Sequence, residues 1–187
     1  MKLHIAHLYP KLLNIYGDRG NILTVLKRCS WRGIETQVDE INEGDFIDPD
    51  IYDFYFMGGG QDKQQIVVSK ELAGQKTALS DARDAGAVFL AICGGYQLLG
   101  HYYKPNQGAE LPGIGLLDAK TIAGDKRFIG NVTIKLNIEN INPVTLVGFE
   151  NHSGLTHLEN DTKPLGHILT GNGNNGSVYD YFSEVSG

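Results

Sequence analysis

A cysteine flanked by small residues follows directly on an apolar run in this 187-residue chain, within AICGGYQLL at positions 91–99. Cys93 has Ala91 two positions before it and Gly95 two positions after it, which is the spacing of a nucleophile elbow with cysteine in place of serine. Small neighbours are needed there because the nucleophile is held on a strained turn, where larger side chains would collide. The pattern predicts a nucleophilic thiol between a buried strand and a helix.

The helix predicted after Cys93 would support the chemistry in two ways. Its first N–H groups and the positive end of its dipole favour thiolate over thiol. The N–H of Gly94 would point at the oxygen of a carbonyl under attack, and a second donor is expected from another glycine-rich strand end, Gly58–Gly60. The structural alternative is a buried cysteine at a tight turn, and the residues by themselves leave both interpretations open.

Other ligand classes receive little support. Gly58–Gly60 could cradle a phosphate, but no Lys or Ser/Thr follows at P-loop spacing and no G-x-G-x-x-G is present. Cys29 and Cys93 are far apart and form no CxxC pair, so neither a disulfide framework nor a cysteine zinc site is indicated. Cys29 fits better as a small apolar residue on a helix. We therefore predict no metal site.

Composition narrows the possible partners. Sixteen basic against twenty-two acidic residues give a net charge of −6, which offers no footprint for a polyanion such as nucleic acid. No apolar run approaches the roughly 20 residues of a membrane span, and the N-terminus is too polar for a signal peptide. We expect a cytoplasmic protein. Its 24 glycines indicate many tight turns or close approaches of backbone to ligand.

The elements that must position these residues alternate between strand and helix. Strands are predicted at Leu3–Leu8, Ile34–Val38, Asp53–Met57 and Ala87–Ile92. Helices are predicted before Gly33, with an apolar stripe of Ile22, Val25, Leu26 and Cys29, and from Ser69 to Ala85. The last strand is continuously apolar, which is typical of a strand buried on both faces of a parallel sheet. This order predicts an α/β fold.

After His101 the alternation of strand and helix patterns ends, and short β-like runs separated by Gly and Asn follow. The runs cover residues 115–122, 129–138 and 145–149. We expect them to add strands to the same sheet or to form an antiparallel extension of it. Since no repeat or linker divides the chain, we predict a single domain over residues 1–187.

Five blocks of sequence occur in order between residue 1 and about residue 176, and together they are more specific than any one alone. They are LYPKLLNIYGDRGN (8–21), MGGGQD (57–62), CGGYQ (93–97), RFIGN (127–131) and FENHSG (149–154). This set resembles the GatD family, the glutaminase subunits of lipid II isoglutaminyl synthases. That family lies in the cobyric-acid-synthase-type branch of the class I glutamine amidotransferases.

The resemblance implies a flavodoxin-like α/β domain, with a mostly parallel central sheet and helices on both faces. It also implies hydrolysis of L-glutamine through a cysteine thioester. The ammonia would pass to a MurT-like Mur ligase subunit, the partner in a heterodimer, for amidation of D-glutamate in lipid II during peptidoglycan synthesis. No cofactor is expected in this subunit, because ATP and Mg belong to the partner ligase.

Individual roles carry over to matching positions. By the resemblance, Cys93 is the nucleophile, Gly59 and Gly94 form the oxyanion hole, and Arg127 and Gln97 bind the substrate glutamine. An arginine can hold the α-carboxylate of free glutamine with two parallel charge-assisted hydrogen bonds. Without the family, Arg127 is equally well interpreted as a solvated surface cation.

The family's general-base histidine has no counterpart in this sequence. In the family it lies in a Gly-Thr-Tyr-Leu-His-Gly type segment after a Gly-Asn-Gly turn, but no such segment follows Gly171–Gly173. Of the six histidines, only His152 lies in a family-like block, and we assign no catalytic histidine. The alternative function is therefore a truncated, catalytically impaired binding module with the amidotransferase fold. A different cysteine hydrolase on the same architecture is a third interpretation.

Overall fold

The computed structural model describes residues 1–14, 17–138, 140, 144–160 and 162–176. The chain divides into two compact units. The first contains Met1–Tyr102 and Leu111–Leu117, and the second contains Tyr103–Glu110 and the chain from Asp118 onward. The single domain expected over residues 1–187 stays a prediction.

Strands and helices alternate in the first half of the described chain. In chain order the elements are β1 (Lys2–Leu8), α1 (Arg19–Ser30), β2 (Glu35–Ile41), β3 (Phe54–Met57), α2 (Asp62–Asp84), β4 (Val88–Ala91) and α3 (Gly94–Leu99). They are followed by β5 (Tyr102–Lys104), β6 (Leu111–Pro112), β7 (Ala119–Leu136), β8 (Thr145–Leu158) and β9 (Gly166–Thr170). The first four strands form a parallel sheet in the order β2-β1-β3-β4. The predicted α/β pattern with a parallel sheet is confirmed.

Helices cover both faces of this sheet, as expected. On one face Ile5, Phe56 and Ile22 of α1 form a buried cluster, against which Val25 and Leu26 pack. Three residues of the apolar stripe predicted for the first helix, Ile22, Val25 and Leu26, therefore face the sheet, and the fourth, Cys29, is half-buried. Because side chains alternate along a strand, Met57 points to the opposite face, where it lies against Gly95 of α3.

Two details of this unit differ from the sequence prediction. β4 is the last strand of its sheet, and Val88 is 57% exposed, so the expectation of burial on both faces was wrong. A short apolar run does not distinguish a central from an edge strand. In addition, α2 begins at Asp62 rather than Ser69. The prediction missed the first turns because their polar residues hide the helical periodicity.

No described helix has the length and apolar character needed to cross a membrane.

The second unit is built on one long strand. β7 pairs antiparallel with β8 along most of its length, and its other edge pairs with β5 and β9. The sequence predicted two separate runs here, divided by the turn-like residues 123–128. The structure instead has a β-bulge between Ala123 and Phe128 within a single strand. Among the described residues these strands pair with one another and none pairs with the first sheet, so the expectation of further strands in that sheet, or of an antiparallel extension of it, was wrong.

Candidate active site

Cys93 lies at the junction of β4 and α3 in a strained backbone conformation. Its φ of 52° and ψ of −115° fall in a region that residues with a side chain rarely adopt. Such a conformation costs on the order of 1–3 kcal/mol and persists only where the surrounding structure enforces it. Cys93 is also exposed, which excludes its interpretation as a buried structural cysteine.

Close packing around Gly95 enforces this conformation. The Gly95 N–H donates to the carbonyls of Ile92 at 3.0 Å and Gly58 at 3.1 Å. A Cβ on Gly95 would lie 2.7 Å from the Gly58 oxygen and 2.8 Å from the Met57 oxygen, both of which are backbone atoms. Only glycine therefore lets the turn after Cys93 approach the end of β3 this closely.

The hydrogen bond from Gly95 also holds the glycine triplet that follows β3. Since the Gly58 carbonyl accepts from Gly95, the plane of the peptide that carries the Gly59 N–H is fixed. Gly94 is the first residue of α3, so its N–H has no acceptor within the helix. The structure thus places the two predicted oxyanion donors, Gly59 and Gly94, on backbone segments joined by a hydrogen bond.

Gly58, the first residue of the triplet, is packed closely by the chain itself. Gly58, Gly59 and Gly60 are all buried. A Cβ on Gly58 would overlap the Leu13 carbonyl oxygen and would lie 2.8 Å from Cβ of Asp18. Glycine is required at this position for close packing against the preceding loop.

The two predicted substrate-binding residues lie in different units. Gln97 is half-buried, one helical turn after Cys93, and its N–H donates to the Cys93 carbonyl at 3.1 Å. Arg127 lies in the second unit, on β7, where it is exposed and its Nε donates to Asn151 Oδ1 at 2.8 Å. Within the described ranges no hydrogen-bond partner is found for its two Nη groups.

Sequence reasoning missed a buried carboxylate in the second unit. The side chain of Glu150 accepts hydrogen bonds from the N–H groups of Asn172 and Gly173, both at 2.9 Å, and from Asn172 Nδ2 at 2.8 Å. Burial raises the pKa of this carboxyl, but the bonds from Asn172 and Gly173 outweigh that effect and hold the pKa below its ordinary value. The sequence contained one signal for this contact: Glu150 lies in a family-like block, and a Gly-Asn-Gly turn that can supply N–H donors follows it.

His152 is tied to the same carboxylate. Its Nδ1 lies 3.0 Å from the Gly154 carbonyl oxygen, which can only accept, so Nδ1 carries a proton. Its Nε2 lies 3.7 Å from Glu150 Oε2, which is too far for a hydrogen bond. His152 therefore packs beside Glu150 with its buried Nε2 lacking a hydrogen-bond partner among the described residues, and these contacts do not assign it a part in catalysis.

The comparison with known families decides what kind of domain this is. Residues 4–185 match the profile of the CobB/CobQ-like glutamine amidotransferase domain. The chain belongs to this family. Membership in the amidotransferases, which the resemblance predicted, is thus confirmed. Cys93, Gly59 and Gly94 lie within the matched residues.

Similar proteins carry related names. The chain is 42% identical over 93% of its length to lipid II isoglutaminyl synthase (glutamine-hydrolyzing) subunit GatD of Streptococcus pneumoniae, of which it covers 66%. It is also 42% identical over 93% of its length to the subunit of that name in Staphylococcus aureus, of which it covers 69%. A probable cobyric acid synthase of Methanopyrus kandleri is 35% identical over 57% of the chain, which covers 23% of that protein. The chain thus spans about two thirds of the length of the two GatD subunits.

Replacement of Gly95 by alanine is expected to destabilise the first unit. The added Cβ meets two backbone carbonyls that cannot move aside, and overpacking of this kind costs about 1–3 kcal/mol. The matched control is Gly74→Ala, on an exposed face of α2 with nothing within 4 Å of the new Cβ, which should stabilise by about 0.5–1 kcal/mol. Denaturant unfolding measures both, and equal stability of the two variants would contradict the packing at Gly95.

Replacement of Glu150 by glutamine is expected to lower stability at neutral pH by about 1–3 kcal/mol, since charge-assisted hydrogen bonds are lost from a buried group. The folded-state pKa of Glu150 is lowered. The charged carboxylate therefore raises the free energy of unfolding above the unfolded-state pKa, and this contribution is lost as the pH falls through the folded-state pKa. The difference between wild type and variant should therefore shrink in acid.

Denaturant unfolding at neutral pH and below the carboxylate range tests this pH dependence. Glu110→Gln, at an exposed position of the same unit, serves as the control and should have little effect. A destabilisation by Glu150→Gln that is the same at both pH values would show that the charge of Glu150 does not contribute.

Proposed function

We propose that this chain is the glutaminase subunit of an amide-forming complex: it hydrolyses L-glutamine through a thioester on Cys93 and supplies the ammonia to a ligase. The observation that carries the proposal is the exposed, strained Cys93, held by Gly95 against the glycine triplet that follows β3. This is the arrangement that a cysteine nucleophile with a backbone oxyanion hole requires.

The first half of the reaction takes place on the glutamine side chain. The Cys93 thiolate attacks the amide carbon and forms a C–S bond, and the carbonyl oxygen becomes an oxyanion that accepts from the N–H groups of Gly94 and Gly59. The C–N bond then breaks as the leaving nitrogen takes a proton from water, and ammonia departs; the hydroxide that remains takes up the proton released in the second half. In the second half, water adds to the thioester carbon and releases glutamate, which regenerates the thiolate. We assign no described histidine to the proton transfers.

Two residues of the chain can recognise the rest of the substrate. Free glutamine carries an α-carboxylate, and the outer edge of the Arg127 guanidinium can hold it with two parallel charge-assisted hydrogen bonds. Gln97, one turn along α3 from the nucleophile, offers an amide that can both donate to and accept from the polar groups of glutamine. We therefore propose Arg127 and Gln97 as substrate-binding residues.

The names of the relatives support a proposal for the partner. Both GatD proteins are described as subunits of a lipid II isoglutaminyl synthase. We propose that this chain likewise forms a heterodimer with a MurT-like ligase, which activates the carboxylate of D-glutamate in lipid II for amidation. ATP and Mg would be held by that partner, with no cofactor in this chain. Because the ligase step consumes ATP, we place the complex in the cytoplasm.

The Cys93→Ala variant of the full-length protein, assayed with its ligase partner, tests the proposed function. Ammonia release from glutamine is expected to fall by more than about 1,000-fold, because the thioester cannot form without the Cys93 thiol. Cys29→Ala is the matched control, since Cys29 is half-buried on α1 and is remote in sequence from the glycine triplet. Its activity should equal that of the wild type.

Two results would contradict the proposal. Undiminished ammonia release by Cys93→Ala would show that Cys93 is not the nucleophile. Glutamine binding by the wild type in calorimetry, without any ammonia release in the presence of the partner, would instead favour the binding-module alternative.

A further inference from the structure

A buried glutamine on α2 touches both backbone segments of the proposed oxyanion hole. Gln65 is only 3% exposed. It lies in the first turn of α2, where its N–H donates to the Gln61 carbonyl at 2.9 Å, and its side chain turns back toward the glycine triplet. Its Nε2 donates to the Gly60 carbonyl at 2.9 Å. The side chain therefore anchors the end of the triplet that Gly95 does not hold.

The same amide group packs against the residue after the nucleophile. A Cβ on Gly94 would overlap Nε2 of Gln65 and would lie 2.9 Å from its Cδ. The amide thus rests directly on the α-carbon of Gly94. A single side chain contacts Gly60 by a hydrogen bond and Gly94 by packing.

The polarity of Gln65 is not explained by stability. Its Oε1 is buried and has no hydrogen-bond partner in the part of the chain that the structure describes. A buried acceptor without a partner costs at least as much free energy as a typical hydrogen bond contributes, so the bond to Gly60 is offset. The amide therefore adds little to the free energy of folding. What it does is hold the two backbone segments in position.

We propose that Gln65 is a positioning residue of the oxyanion hole. Its Nε2 fixes Gly60 while its amide plane supports Gly94, so that the N–H groups of Gly59 and Gly94 keep a constant separation. The inference rests on the proposed glutaminase activity, because it concerns the stabilisation of the oxyanion in that reaction. Gln65 itself need not touch glutamine.

The Gln65→Met variant separates positioning from stability. In the full-length protein with its ligase partner, kcat for glutamine hydrolysis should fall about 10- to 100-fold, because small displacements of oxyanion donors have effects of this size. The KM should stay near the wild-type value. Alkylation of Cys93 by iodoacetamide should keep its rate, since that displacement forms no oxyanion, and the melting temperature should not fall.

The matched control is Gln64→Met. Gln64 is the neighbouring residue on α2, and its Oε1 is likewise buried without a partner, but among the described residues no hydrogen bond joins its amide to the glycine triplet. This variant should retain the wild-type kcat. Comparable losses in the two variants would show that any methionine here disturbs the site, and would overturn the role of Gln65.

The Gln65→Glu variant provides a readout that a merely structural role would not change. Only a protonated carboxyl can donate to the Gly60 carbonyl, so the ratio of the variant's kcat to that of the wild type should rise as the pH falls. A ratio independent of pH, or a wild-type kcat in Gln65→Met, would overturn the inference and leave the proposed function intact. A wild-type protein that hydrolyses no glutamine with its partner would overturn both.

Discussion

Contact between two backbone segments at the carboxyl ends of β3 and β4 is the constraint on which the rest of the site depends. The two strands are parallel neighbours, with Met57 opposite Ala91, so the residues that follow them emerge side by side. The Ile92 N–H donates to the Met57 carbonyl at 2.9 Å, and the Gly95 N–H donates to the Gly58 carbonyl. This short extension of the sheet ladder compensates for the strained backbone of Cys93 between those two donors.

The neighbouring elements can be understood as support for this contact. The loop after β1 fills the space under Gly58 with Leu13 and Asp18. On the other side, α2 begins soon after the triplet and returns Gln65 to Gly60 and Gly94. The backbone donors are thereby enclosed by packed groups, and donors fixed before the reaction stabilise a developing oxyanion without reorganisation. The position of the thiol is set mainly by backbone, which explains why glycine is so frequent here.

The spacing of small residues around Cys93 was enough to predict the strained turn, because only a limited set of side chains fits it. Two other features were hidden from the sequence. Whether a short apolar run such as β4 lies inside a sheet or at its edge depends on long-range pairing. Gln65 and Glu150 have the polarity of surface residues, and only the tertiary structure shows that each is buried among backbone amides or carbonyls. The family resemblance supplied Arg127, which spacing alone could not distinguish from a solvated cation.

The most direct test of the central claim, that Cys93 is held as a reactive thiol which recognises glutamine, is mass spectrometry after treatment with a diazoketone analogue of glutamine. The full-length protein should gain one adduct, located on the peptide that contains Cys93, and excess L-glutamine should prevent its formation. Labelling of Cys29 to the same extent, or labelling of Cys93 that glutamine does not reduce, would contradict the account.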